Sequence, residues 1–217
     1  MRFLIINMYK KQVLFKSRKV KEFFIDALQG HTLIFKKWDD VEGIRDILKG
    51  KRIDGKRIDG KRIDGIIISG SDYYVKDEGS AIIDECILKS NIPILAMCYG
   101  FQYLEYRYGE ASFIKSSKRK KIYSRSFRIK EPFYIPKIKY SFWHKDYIVK
   151  VPKDYKVIKK IGNKIIMAYN SKKNILGVLF YIYKYKNAVK IFMKHWIDEC
   201  VISKPRSPKV AKPRSNP

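Results

Sequence analysis

The chain has 217 residues, enough for one domain with a full core, and 46% of them are hydrophobic, so it belongs with globular rather than disordered proteins. No apolar run approaches the roughly 20 residues that cross a bilayer, and the opening Met1–Asn7 stretch is too short for a signal peptide, so a cytoplasmic location without a membrane partner is expected. Three cysteines and three histidines at no zinc-like spacing argue for reduced thiols and against a metal or other cofactor.

Phe3 to Met8 is a short apolar run that reads as a first strand. Ser17 is placed to cap a helix with Val20, Phe23, Phe24, Ala27 and Leu28 on one face, ended by Gly30. A strand over Thr32–Trp38 and a brief helix over Val41–Leu48 follow. Gly65 to Ile68 is continuously apolar and opens into a glycine turn, as buried parallel strands do. A helix over Ala81–Leu88, a strand over Ile92–Met97 and a helix over Phe101–Tyr108 complete an alternation that predicts a doubly wound, mostly parallel α/β sheet flanked by helices.

After residue 110 the character becomes β-rich, with short pieces at 121–129, 147–151, 156–161, 165–169 and 175–183 that suggest antiparallel hairpins added to the parallel sheet. A last helix over Asn187–Val201 places Val189, Phe192, Met193, Trp196 and Ile197 at helical spacing. One domain is therefore expected over 1–202, followed by a disordered, basic, proline-rich tail over 203–217.

Two compositional features stand apart. Lys-Arg-Ile-Asp-Gly occurs three times in tandem over 51–65, too short a unit for a solenoid and readable as an expanded surface loop. The formal charge of +27 raises nucleic acid as a partner, with the Lys115–Lys121 cluster and the tail as its best support. A lysine-rich coding bias accounts for the charge without a ligand, and the scatter of lysines favours that account.

The stretch Pro93-Ile94-Leu95-Ala96-Met97-Cys98-Tyr99-Gly100-Phe101-Gln102 runs an apolar strand into a turn and a helix, with a cysteine at the bend. Such an elbow lifts the sulfur above the sheet edge, and the helix N-terminus behind it lowers the thiol pKa. Gly100 permits close approach of backbone to a ligand. A buried cysteine at a strand end is the competing reading, and the residues alone do not separate the two.

Cys98-Tyr99-Gly100-Phe101-Gln102 resembles the nucleophile motif of class I glutamine amidotransferases, in particular the glutaminase part of GMP synthase. Gly65 to Ser71 resembles the family strand that ends in Ser-Gly-Gly, and Trp143-His144-Lys145-Asp146 resembles its His-x-Asp segment. Gly177-Val178-Leu179-Phe180 and the helix after it resemble the family's last strand and helix. The resemblance implies Cys98 as nucleophile, backbone N–H groups of Tyr99 and of Gly70 or Ser71 as oxyanion donors, and Gly100, Gln102 and His144 around bound glutamine. It also implies departures: Tyr181 and Tyr183 stand where the family has the histidine and glutamate of its triad. Glutamine hydrolysis through a Cys98 thioester is then expected to be impaired. Two alternatives stay open: a working glutaminase with His144 as base, and a binder of nucleic acid or anionic surfaces that reuses the fold. These residues include no P-loop, so an ammonia acceptor or synthetase is expected on a separate protein.

Overall fold

A computed structural model describes residues 1–11, 19–50, 52–53, 56–57, 62–130, 134–181 and 185–202. Among them nine strands form one sheet. Its parallel part orders β2 (Thr32–Lys37), β1 (Arg2–Asn7), β5 (Gly65–Ile68), β6 (Ile94–Met97) and β11 (Ile175–Val178) side by side. Every residue of β5, β6 and β11 is buried, because helices cover both faces of the sheet and no position on these strands meets water.

The helices follow from local signals. In α1 (Val20–Ala27), Val20, Phe23 and Phe24 share the buried stripe. The Asp40 carboxylate accepts a hydrogen bond from the Gly43 N–H at 3.1 Å and starts α2 (Val41–Leu48), whose Ile44 and Ile47 pack inward. The expected helix over 81–88 is only α3 (Glu85–Leu88), since Asp84 accepts from the Cys86 N–H at 2.9 Å and fixes the cap there. Helix α4 (Tyr99–Tyr108) follows β6 at once, two residues before its expected start. Helix α5 (Lys186–Trp196) buries Val189, Phe192, Met193 and Trp196 as its spacing predicts, then widens into a π-helical turn over Ile197–Ile202.

The second half adds an antiparallel part. Strand β10 (Lys164–Asn170) pairs with β11, with β9 (Lys156–Ile161) and with β8 (Ile135–Ile148); β8 pairs in turn with β7 (Ile114–Ile129). The expected strand over 147–151 is replaced by the 14-residue β8. Its inward face runs Tyr140, Phe142, His144, Asp146, Ile148, and two polar members break the apolar alternation that marks a strand in sequence. Strand β7 begins seven residues before its expected start: Lys115, Ser116 and Lys121 pair with β8, and the register shifts across the residues between them. Backbone pairing to β8 is indifferent to side-chain charge. The expected strand over 175–183 stops at Val178.

Within the tandem repeat, Arg52–Ile53 (β3) pairs antiparallel with Lys56–Arg57 (β4); the rest of residues 51–61, the Ser17 cap, Tyr183 and the 203–217 tail lie outside the described residues. No helix among the described residues is long and apolar enough to cross a membrane.

Candidate active site at the β6–α4 turn

Cys98 occupies the single residue between β6 and α4, with φ 50° and ψ −106°. A non-glycine residue held there is strained by about 1–3 kcal/mol, which persists only where surrounding structure enforces it. The enforcement is visible on three sides. The Cys98 N–H donates to the Val178 carbonyl at 2.7 Å, tying the turn to the end of β11, and the Cys98 carbonyl accepts from the Gln102 N–H at 3.0 Å, beginning the helix. Glycines bring the helix close. A Cβ on Gly100 would lie 2.8 Å from Ile68 Cγ2, and one on Gly177 would lie 2.1 Å from the Phe101 ring. The cysteine residue is half-buried rather than packed into the sheet. The first N–H groups of α4 have no partner within the helix and aim their partial positive charge at the turn.

Gly70 follows β5, the neighbour of β6, and a Cβ built on it would stand 3.4 Å from the Cys98 Cβ. Structure thus brings together Cys98, Gly70 and the start of α4. Neither Gly70 nor Ser71 has a positive φ, so a serine at 71 carries no backbone strain. The Ser71 hydroxyl donates to the Met8 carbonyl at 2.6 Å and accepts from the Tyr73 N–H at 3.1 Å, which fixes the loop beyond Gly70. The Tyr99 hydroxyl is buried and donates to the Ala81 carbonyl at 2.6 Å, and burial pushes its pKa up. Its backbone, not its phenol, faces the turn chemistry.

The other sequence-predicted residues are more dispersed. Gln102 is buried and its Nε2 donates to the Asp146 carbonyl at 2.6 Å, coupling α4 to β8. His144 lies on the inward face of β8; its Nε2 is 3.4 Å from the Tyr123 hydroxyl, and its Nδ1 has no hydrogen-bond partner among the described residues. Burial, aided by the Lys164 charge, pushes its pKa down to about 4, so the imidazole is neutral at pH 7. Tyr181 pairs with Ser141 through its N–H at 2.7 Å and sets its ring edge-on to Trp143, with centroids 5.1 Å apart. Alternation along β8 therefore puts Tyr181 beside Trp143 and on the side opposite His144.

Sequence reasoning did not single out Trp143, Lys145 or Tyr74. The Lys145 ammonium sits 4.8 Å from the Tyr74 ring centroid, joining the loop beyond Gly70 to the same side of β8. The signal for Trp143 and Lys145 was the two-residue period of β8, unreadable until the strand's extent was known. Glu105, three residues past Gln102 on α4, is fully buried with neither oxygen partnered among the described residues. Burial, then the Asp154 charge, raises its carboxyl to about 8.

The glutamine amidotransferase class-I family model matches residues 43–180, a segment that contains the elbow, the Gly70 turn, β8 and β11. The chain belongs to the class I glutamine amidotransferase family. It is 27% identical over 164 residues to the glutamine-hydrolyzing GMP synthase of Wigglesworthia glossinidia brevipalpis, covering 69% of this chain and 31% of that protein. Identity to the Thermosipho melanesiensis enzyme of the same name is 31% over 122 residues, or 54% of this chain and 23% of the relative. The matches thus span about a quarter to a third of the length of these relatives. Among solved structures, a candidate GMP synthase subunit of Thermoplasma acidophilum superposes with TM-score 0.58 at 17% identity, covering 92% of this chain and 94% of that one. A glutamine amidotransferase superposes with TM-score 0.54 at 10% identity over 91% of this chain and 98% of its own. Both establish the shared fold, a mixed α/β sheet of the flavodoxin-like kind.

Proposed function

We propose that this amidotransferase domain retains the nucleophile and glutamine pocket of its family and has lost efficient proton transfer, so that it binds glutamine and turns it over slowly. The observation that carries this reading is the backbone of Cys98, held at φ 50° in a strand–turn–helix bend beside Gly70. Strain is kept at a position where nothing but exposing a side chain requires it.

In the proposed reaction the Cys98 thiolate attacks the side-chain amide carbon of glutamine. The resulting oxyanion receives hydrogen bonds from the Tyr99 N–H and from an N–H at Gly70 or Ser71. Ammonia departs once its nitrogen is protonated, leaving a thioester that water hydrolyses to glutamate. Thiol attack needs little help, since a free cysteine is a few per cent thiolate near pH 7. Protonation of the leaving nitrogen is where the chain falls short. Tyr181 takes the family's histidine position, and a phenol with a reference pKa of about 10 does not relay protons near neutrality as imidazole does. His144 is a poor substitute, being buried and on the side of β8 away from Trp143 and Tyr181. Loss of general acid–base help costs roughly 10²–10⁴ in rate. Any acceptor of ammonia would lie outside these 217 residues.

Labelling with a glutamine-mimicking electrophile tests this reading. Covalent modification of Cys98 blocked by excess glutamine is expected, together with a glutaminase rate far below that of a complete triad. No labelling under any condition, or a robust rate abolished by Cys98→Ala, would each overturn part of it: the first removes the pocket, the second the impairment.

A further inference from the structure

The positive charge is unevenly placed. Residues 1–113 carry twenty lysines and arginines against sixteen acidic residues, whereas 114–173, the antiparallel part, carry nineteen against three. Of those three, Asp146 is buried with Oδ1 accepting from the Ser116 hydroxyl at 2.5 Å, and Asp154 accepts from the Asn170 amide at 2.5 Å. Ion pairs such as Lys36–Asp40, Arg45–Asp84, Lys89–Glu85 and Lys190–Asp26 belong to the parallel part and its helices. A compositional bias toward lysine predicts excess charge everywhere. It does not predict acidic residues retained in one half and nearly absent from the other.

This basic part also presents a groove lined by Ile122, Tyr123, Arg125, Ile161 and Lys164, where β7 meets the β9–β10 hairpin. Ile122 is 66% exposed, and Arg125 is exposed beside it. The Lys164 ammonium lies between two rings, 5.4 Å from the Tyr123 centroid and 4.7 Å from that of Tyr147. Lys159 of β9 also reaches β7, its ammonium 5.6 Å from the Phe127 ring centroid, so cations from the β9–β10 hairpin lie along this strand.

We infer that this groove and the basic strands around it bind single-stranded nucleic acid, with phosphates along the cations and a base in the groove against Tyr123. Charge alone would suit an acidic protein equally. An apolar, aromatic floor between cations is the combination that stacks an unpaired base, which a duplex does not offer.

The test uses the full chain and a short fluorescein-labelled oligouridylate, read by fluorescence anisotropy across a salt series. Arg125→Glu, Lys137→Glu and Lys160→Glu combined are expected to weaken binding more than tenfold and to reduce the log–log salt slope by about 2. The matched set Lys21→Glu, Lys49→Glu and Lys194→Glu, exposed on the parallel part, should change affinity less than twofold. Tyr123→Leu should cost roughly tenfold through lost stacking, with the salt slope unchanged. Equal losses from both charge sets, or no binding at physiological salt, would overturn the inference. So would polyglutamate competing as well as unlabelled oligonucleotide, or duplex binding as tightly as the single strand. Because every reversed side chain is exposed, circular dichroism matching the parent separates lost binding from lost folding.

Discussion

The two halves of the sheet solve different problems with the same ladder. The parallel half buries β5, β6 and β11 on both faces, keeps acids and bases nearly balanced, and brings the glycines at 70, 100 and 177 close around one strained residue, Cys98, and its helix. Its antiparallel neighbour holds its inward face with Tyr140 and Phe142, tolerates buried polar groups at His144 and Asp146, and carries the net charge outward. Precision is concentrated where backbone must be held against its preference. Polarity is concentrated where strands pair irrespective of sequence.

The largest effect should come from the precise half. Cys98→Ala is expected to abolish labelling by a glutamine-mimicking electrophile entirely, as mass spectrometry would reveal; a label landing elsewhere would dissolve the contrast. Next, Tyr181→His combined with Tyr183→Glu should raise the glutaminase rate by roughly 10²–10⁴, the range expected for restored acid–base catalysis. No gain would place the damage in the pocket as well.

A third prediction concerns the seam. Glu105 on α4 has a folded pKa of about 8 against an ordinary value of 4.5, so the native state holds a proton that the unfolded chain releases between those limits. Its contribution is intact below pH 4.5 and is lost as pH rises through 8. Glu105→Gln should therefore gain stability over the parent by about 1.4 kcal/mol per pH unit across that window, measured by urea denaturation. His144 runs the other way. With its pKa held near 4 against 6.5, stability is lost as pH falls from 6.5 through 4, and His144→Phe should flatten that acid limb. The smallest expected effect is at Gly177. Alanine there would press its Cβ into the Phe101 ring, costing about 1–3 kcal/mol unless the ring moves, with the loss read as a lowered urea midpoint.

Much of the parallel half was legible in the sequence. Apolar runs such as Gly65–Ile68 and Ile94–Met97 have no solvent face, and the α5 stripe from Val189 to Ile197 follows the helical period. The antiparallel half was read in fragments. Strand β8 hid behind His144 and Asp146, whose burial no pattern announces, and β7 hid behind its lysines. The short α3 was misjudged because the Asp84 cap competes with the apolar residues before it. In the site, the elbow residues were readable as a motif. The positions of Trp143, Lys145 and Tyr74 were not, since they depend on strand register.

Sequence by itself determined the alternation of strands and helices, the cysteine at the bend and the tyrosines at 181 and 183, because these are local patterns and residue identities. Tertiary structure decided that Cys98 sits at φ 50° beside Gly70, that His144 and Tyr181 lie on opposite sides of β8, and that residues 114–170 pair as one antiparallel part. Those facts arise from long-range pairing: which strand lies next to which, and in what register, is fixed by burying the whole sheet at once and by no single segment.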